Sequence, residues 1–294
     1  MLSLLLLTVL LGPPDEKPKP RPAAMLLDLR GKAEIRTAEG QSKTAEPGDL
    51  LFPGERLAVP AGGSATLVIL GAGARETIKP GAEATVGLKG CSPPDSVATR
   101  KEQPRAVAAA MKNLRPAPGD GRKAGVGFRS GPRQGGVSPI PDSTVPGDRP
   151  GFAWPPSPGA SRYRLELRVD GAEAALWTAE STTTGLDYPE DRKPLSRGGD
   201  YFWTVIDDGL RTVATGKFSV ASAAEVSSLA EAAALRASED RADRFLAVYY
   251  YQHLHAYREA IDTAEDLNRR WPDEPAYRKA LADLLRVTGK AETP

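Results

Sequence analysis

The chain has 294 residues, a formal net charge of +1, 29 glycines, 27 prolines, two histidines and one cysteine. The charge balance excludes a global attraction to nucleic acid or an anionic membrane, and a lone cysteine excludes an internal disulfide framework or a multi-cysteine metal site. Length admits about two domains, and the glycine and proline content gives part of it to turns and linkers, so small modules are expected rather than one large core.

Residues 1–24 read as a leader. Leu2 to Leu11 is almost wholly apolar and is followed by Gly12-Pro13-Pro14 and the charged, proline-rich Asp15 to Pro22. A spanning helix needs roughly 20 apolar residues, so this run fits the central region of a secretory signal better. No Lys or Arg precedes it and no Ala-x-Ala site follows. Export to a periplasmic or other extracytoplasmic space is the expectation, with an uncleaved anchor that holds the chain to the membrane, or a buried strand, as alternatives.

Residues 25–91 form the first predicted module. Ile35, Leu51, Leu57, Leu67, Ile69, Ile78 and Val86 lie in short apolar runs separated by Pro47-Gly48-Asp49, Pro53-Gly54-Glu55, Ala61-Gly62-Gly63, Gly71-Ala72-Gly73 and Pro80-Gly81. Half-buried strands joined by tight turns have this signature, and Pro-Gly suits a type II turn because glycine accepts the positive φ of its second central residue. A compact β-sandwich or barrel is predicted. The order of Gly31 to Ile35, Pro47 to Leu57, Gly63 to Leu67 and Ile78 to Ala82 resembles the FecR domain, the extracytoplasmic β-module of iron-dicitrate signalling proteins. The resemblance covers only residues 26–89 and departs from the family where Gly71-Ala-Gly-Ala-Arg75 replaces the usual Asp-Gly-Ser. It implies a recognition module outside the cytoplasm and, for the signalling members, a transmembrane regulator.

Residues 92–148 read as a basic, Pro/Gly-rich linker that lacks the large hydrophobes needed to offset ordering entropy. From Thr99 to Gln134 nine basic residues (Arg100, Lys101, Arg105, Lys112, Arg115, Arg122, Lys123, Arg129, Arg133) face two acids (Glu102, Asp120), so 9 − 2 gives a local charge of +7. The run is read as a self-repelling solvated spacer or, alternatively, as a contact for a polyanion. Only Phe128 interleaves it, so the aromatic stacking of a nucleic-acid binder is not expected. Arg105 to Leu114 admits a short helix.

Residues 149–221 alternate strictly along Tyr163-Arg-Leu-Glu-Leu-Arg-Val169, turn at Asp170-Gly171, and end in Tyr201 to Val205 and Gly216 to Val220. Alternation predicts one buried and one wet face. The layout of Phe152-Ala-Trp154 and of Leu195 to Val205 looks like a fibronectin type III or related immunoglobulin-like sandwich, with Trp154 and Trp203 in its core. Tyr163, Trp177 and Tyr188 are candidate contacts for a glycan or partner, or else core and edge aromatics.

Residues 222–294 change to helical periodicity, with apolar residues three and four apart in Ala242 to Leu254, Tyr257 to Trp271 and Pro275 to Val287. Pro272, Ala260, Tyr251, Tyr257, Leu281 and Gly289 fall where a tetratricopeptide repeat places its signature residues. This resembles a degenerate repeat followed by half of another, with Val248 at a small-residue position and His255 at a turn where glycine is common. Tyr249, Tyr250 and Tyr251 span all sides of one helix, so at least one, with Tyr250 as the candidate contact, is expected at an interface or exposed. His253 and His255 point to different helix faces and read as surface residues.

The expected fold class is therefore mainly β with an α-helical C-terminus: a FecR-like sandwich or barrel, an immunoglobulin-like sandwich and degenerate tetratricopeptide hairpins. No phosphate loop, nucleophile elbow, zinc-protease helix or dinucleotide fingerprint occurs, and Asp207-Asp208 and Glu190-Asp191 read as exposed polar turns. No catalytic residue, cofactor or metal is assigned. The expectation is an exported non-enzymatic binding or scaffold protein of the cell envelope, whose partner is another envelope protein or a polysaccharide. The alternatives are an anchored signal transducer and a carbohydrate-binding or glycan-processing protein.

Overall fold

The computed structural model describes residues 21–112, 114–117, 120–125 and 136–289, with side chains described outside the strands 115–117 and 120–125. It is mainly β-sheet with C-terminal helices. Ten strands come first: β1 (Ala24–Arg30), β2 (Glu34–Arg36), β3 (Ser42–Thr44), β4 (Leu50–Leu51), β5 (Arg56–Ala58), β6 (Ser64–Ile69), β7 (Ala74–Ile78), β8 (Glu83–Val86), β9 (Cys91–Ser92) and β10 (Val97–Glu102). They make two five-stranded sheets, ordered β10-β7-β6-β1-β4 and β3-β2-β5-β8-β9. Leu26, Leu67 and Ile78 of the first sheet meet Ile35, Leu57 and Val86 of the second in one apolar core, so this module is a sandwich.

The first sheet is buried on its other face too. Met25, Leu27, Leu50, Val68 and Leu70 belong to a second core shared with the helices α1 (Arg105–Met111), α2 (Ala223–Ala237), α3 (Arg241–His253), α4 (Tyr257–Arg270) and α5 (Pro275–Val287). Two-sided burial explains why Ala23 to Leu27 and Leu67 to Leu70 are unbroken apolar runs without polar alternation. A β-bulge decides where this cover ends. Between Leu26, opposite Leu67, and Asp28, opposite Thr66, β1 carries one extra residue, so Leu27 and Asp28 both turn toward the helices.

Between these parts lie β11 (Arg115–Ala117), β12 (Asp120–Gly125), β13 (Ser143–Val145), β14 (Gly151–Ala153), β15 (Tyr163–Val169), β16 (Trp177–Ser181), β17 (Gly185–Asp187), β18 (Asp200–Asp207) and β19 (Thr212–Val220). A five-stranded sheet, β13-β19-β18-β15-β16, packs with the β14-β17 pair around Phe152, Trp154, Trp203 and Phe218. Trp154 and Trp203 are core, as expected. This sandwich is tied to the helices by backbone bonds: Thr144 N–H donates to the His255 carbonyl at 2.9 Å, and Ala221 N–H donates to the Val145 carbonyl at 2.9 Å, just before the Ser222 capping box that starts α2.

Several expectations change. Ala23 and Ala24, placed in the leader, are buried, and Ala24 pairs with Leu51 and Ile69; residues 1–20 lie outside the described residues. The segment 92–148 is not a free spacer where it is described. Strand pairing needs backbone groups rather than large side chains, so Val97 to Glu102 joins β7 despite exposed side chains. Val107, Met111 and Leu114 suffice to dock the predicted short helix into the helical core, and β13 runs parallel to β19. Tyr249, Tyr250 and Tyr251 are all buried, because α3 is enclosed by β1, α1, α2 and α4. Gly48, at φ +84°, makes room for that enclosure: a Cβ there would stand 3.1 Å from the Tyr249 hydroxyl.

Candidate functional site

Where the helical cover stops, the outer face of the first sheet is left polar, and a cleft of about 820 Å³ opens between strand and helix. Asp28 on β1 pairs across the sheet with Thr66 on β6, Thr66 with Thr77 on β7, and Thr77 with Thr99 on β10. The Thr66 and Thr77 hydroxyls are 3.3 Å apart, and Ser64 and Arg30 form the next row. The opposite wall is the start of α3, with Asp240 as N-cap accepting from Ala242 N–H at 2.9 Å. Trp271, which ends α4, completes the rim, its ring edge-on to Tyr277 at 6.1 Å and 67°.

Most charges of the cleft are committed to one another. Arg241 Nε lies 2.5 Å from Asp28 Oδ1, and its Nη2 donates to the Leu29 carbonyl at 3.0 Å. Arg75 bridges Asp240 (3.1 Å) and Asp243. Burial raises the Asp28 carboxyl above its usual range, and the Arg241 charge opposes that only in part. These pairs fasten the β-module to α3, two guanidiniums against three carboxylates. What remains open is a row of hydroxyls beside an indole.

The residues singled out from the sequence lie elsewhere. Tyr163, Trp177 and Tyr188 are buried to 4–5 % exposure, and their rings pack on Trp154, Phe152 and one another, so they present no stacking face to a glycan. Tyr250 is buried in the helical core. Among the basic residues, Arg100 is a structural partner: its Nη1 donates to Glu76 Oε1 at 2.6 Å and to the Lys89 carbonyl at 3.0 Å. Lys101, Arg105 and Lys112 are exposed but lie on a strand and a helix rather than on one flexible run. The side chains of Arg115, Arg122 and Lys123 lie outside the described residues, as do Arg129 and Arg133.

Of the two carboxylate pairs, Glu190-Asp191 and Asp208 are exposed as expected, and Asp207 changes role. Asp207 is buried, not an exposed turn residue, and accepts from Ser157 Oγ (2.8 Å), Arg211 N–H (2.9 Å) and Arg211 Nε (2.9 Å). The Arg211 backbone bond, with Ser157 and the Arg211 charge, holds its carboxyl below the usual range. Asp208 fastens Ser161 in the same way. Cys91 stands in β9 at the mouth of a second cleft, its N–H donating to Glu76 Oε2 at 2.8 Å. Among the described residues no cluster of three or more His, Cys, Asp or Glu could hold a metal ion, and no helix is long and apolar enough to cross a membrane.

Trp271 and Asp28 were missed in the sequence for definable reasons. Trp271 sits in a helical period that reads as packing, and Asp28 acquires its direction only from the bulge at Leu27.

No protein-family model matches the sequence, and no curated protein matches it. Similar solved structures include the FN1–FN3 domains of chicken CNTN1 (11 % identity, TM-score 0.23, covering 69 % of this chain and 64 % of that one). A β-1,2-glucanase from Parabacteroides distasonis is similar at 8 % identity and TM-score 0.23, covering 85 % and 49 %. Astrotactin-2, a vertebrate perforin-like membrane protein, is similar at 12 % identity and TM-score 0.21, covering 55 % and 37 %. The chain spans less than two thirds of each of these, and superpositions at such scores carry no structural argument.

Proposed function

We propose that the protein is an exported, non-enzymatic binding or scaffold protein of the cell envelope, built from a FecR-like β-module, an immunoglobulin-like sandwich and degenerate tetratricopeptide-like helices. One observation carries the reading: the helices share a core with the first sandwich through Met25, Leu27 and Val68 and hold the second through the Thr144 bond to His255. Such an arrangement joins three small modules at fixed positions, which suits presentation of surfaces to partners. The turn at His255, which adopts φ +57° where tetratricopeptide repeats favour glycine, supports the helical assignment.

The test is fractionation of cells expressing the native gene, N-terminal sequencing of the recovered protein, and cross-linking of the purified chain to the envelope fraction. Recovery outside the cytoplasm with a reproducible cross-linked partner is expected. Retention in the cytoplasm overturns the reading. So does turnover of an envelope substrate that is abolished by one substitution in the chain.

A further inference from the structure

We infer that the cleft between the first sheet and α3 binds an uncharged saccharide, stacked on Trp271 and hydrogen-bonded to the hydroxyl row of the sheet; this rests on the binding-protein reading above and names its ligand class. The cleft, at about 820 Å³, falls within the size range of small-ligand sites, which pair apolar surface with a few placed polar groups.

The charge pattern selects against anions. Asp28 is paired with Arg241, and Asp240 and Asp243 are paired with Arg75. The two charges left on the lining, Arg30 and Glu239, have opposite signs. Counted with Arg75, the site sets three cations (Arg30, Arg75, Arg241) against four carboxylates (Asp28, Glu239, Asp240, Asp243), so an anion is disfavoured. Any charged ligand that takes Asp28, Arg241 or Arg75 breaks an existing pair and leaves its partner uncompensated. A polyphosphate or nucleic acid, which relies on several unpaired cations, meets only Arg30 here.

The open groups fit sugar chemistry. Ser64, Thr66 and Thr77 carry hydroxyls that both donate and accept; one donor is taken by the 3.3 Å Thr66–Thr77 contact, and Ser64 lies two residues from Thr66 along β6, about 7 Å away. A pyranose presents hydroxyls of the same dual character around its rim and an apolar C–H face above its ring. Trp271 supplies an apolar ring at the cleft edge, packed at 67° against Tyr277 and against the helical core, so its ordering cost on binding is small. The paired carboxylates and guanidiniums keep free acceptor and donor positions that bridge vicinal hydroxyls without giving up their partners.

The experiment titrates the purified full chain by calorimetry with cellohexaose, laminarihexaose, maltohexaose and chitohexaose, and with hexagalacturonate as the acidic counterpart. At least one neutral oligosaccharide is expected to bind. Trp271→Ala should weaken it by at least about tenfold, Trp271→Phe by less, and Thr66→Val and Thr77→Val by several-fold each. Leu210→Ser, at an exposed site on the other sandwich, should leave it unchanged. Thermal melts of the valine variants, which keep the side-chain volume but remove the part-buried 3.3 Å Thr66–Thr77 contact, should fall only slightly below the parent. Absence of binding to all four neutral sugars, preference for hexagalacturonate, or binding indifferent to Trp271→Phe and both valine variants overturns the inference. A parent chain that cross-links its envelope partner but binds none of the sugars removes the saccharide and leaves the scaffold reading standing; cytoplasmic retention removes that reading whatever the calorimetry gives.

Discussion

Arg241, the first residue of α3, reaches back to Asp28 on the first strand and closes a 2.5 Å ion pair across the seam between helix and sheet. Both groups are largely withdrawn from water, so the pair is worth more as a lock than a surface bridge. Arg241→Ala should destabilise the chain by about 2 kcal/mol, below the usual cost of orphaning a fully buried charge because Arg241 is partly solvated. Asp28→Asn in that background should recover part of the loss. The sign with pH follows from the raised Asp28 carboxyl: the folded state holds its proton above the unfolded value, so stability falls as pH rises from the unfolded carboxylate value through the folded one. Without Arg241 that fall should steepen, which urea titrations at a series of pH values would register; an unchanged slope would refute the assignment.

Leu27 tests the shared core. It is fully buried between the first sheet and the helices, on the face opposite the sandwich core. Leu27→Ala should cost about 2–5 kcal/mol, as large-to-small changes do in close-packed cores. Because one core joins the two parts, the loss should appear in the helical and the β signals together. Circular dichroism that shows the helices melting early while the first sandwich keeps its stability would indicate separable modules.

How much of this was legible in the sequence depends on which physical signal each residue carried. The alternation of Tyr163 to Val169 announced a sheet with one wet face because side-chain direction follows directly from period two. The unbroken runs at Ala23 to Leu27 and Leu67 to Leu70 carried the signal of double cover, but taken as half-buried strands they concealed the helices packed on them. Val97 to Glu102 has almost no apolar content, and its place at a sheet edge comes from backbone pairing that composition does not register. Asp28 faces the cleft only because of the bulge, a matter of register set by partners far along the chain. The buried rings of Tyr163, Trp177 and Tyr188 look the same in sequence as exposed ones, since an aromatic at a strand end is core or contact according to what covers it.

His255 is a local conflict with a measurable size. It holds φ +57°, a left-handed conformation that costs a side-chain-bearing residue roughly 1–2 kcal/mol, and its Nδ1 bonds the Tyr257 hydroxyl at 2.9 Å. His255→Ala keeps the backbone cost and loses the bond, whereas His255→Gly relieves the backbone and loses the bond. The glycine variant should therefore be more stable than the alanine variant by about 1 kcal/mol. Equal midpoints in urea would show that the turn carries no conformational cost. Because the His255 carbonyl accepts from Thr144 N–H, slower amide exchange at Thr144 in the glycine variant is the accompanying expectation.

Neighbouring His253 gives a pH dependence of defined sign. Burial, with the adjacent His255 charge, lowers its imidazole below the ordinary value of 6.5. The unfolded chain thus takes up a proton that the folded chain resists, so stability is complete above about pH 6.5 and is lost as pH falls toward the folded value. His253→Gln should flatten that part of the stability–pH curve. A wild-type curve that is flat from pH 7 to about pH 5, or a variant with the same slope as the parent, would contradict this.

Cys91 offers a test in which two substitutions act in opposite directions. Burial pushes its thiol up, the hydrogen bond to Glu76 and the Glu76 charge push it further, and Arg100 pulls it down. The native thiol should accordingly react slowly with an aromatic disulfide reagent near pH 8 and quickly once the chain is unfolded. Glu76→Gln removes the negative charge while keeping an acceptor for the Cys91 N–H, so labelling should accelerate, by about tenfold for each unit the thiol falls. Arg100→Met removes the one opposing charge and should slow labelling below the parent. Accessibility alone predicts something different: both substitutions loosen the same Glu76–Arg100 contact and would then speed the reaction together. Opposite signs therefore assign the control of this thiol to electrostatics, and matching signs assign it to opening of the strand edge.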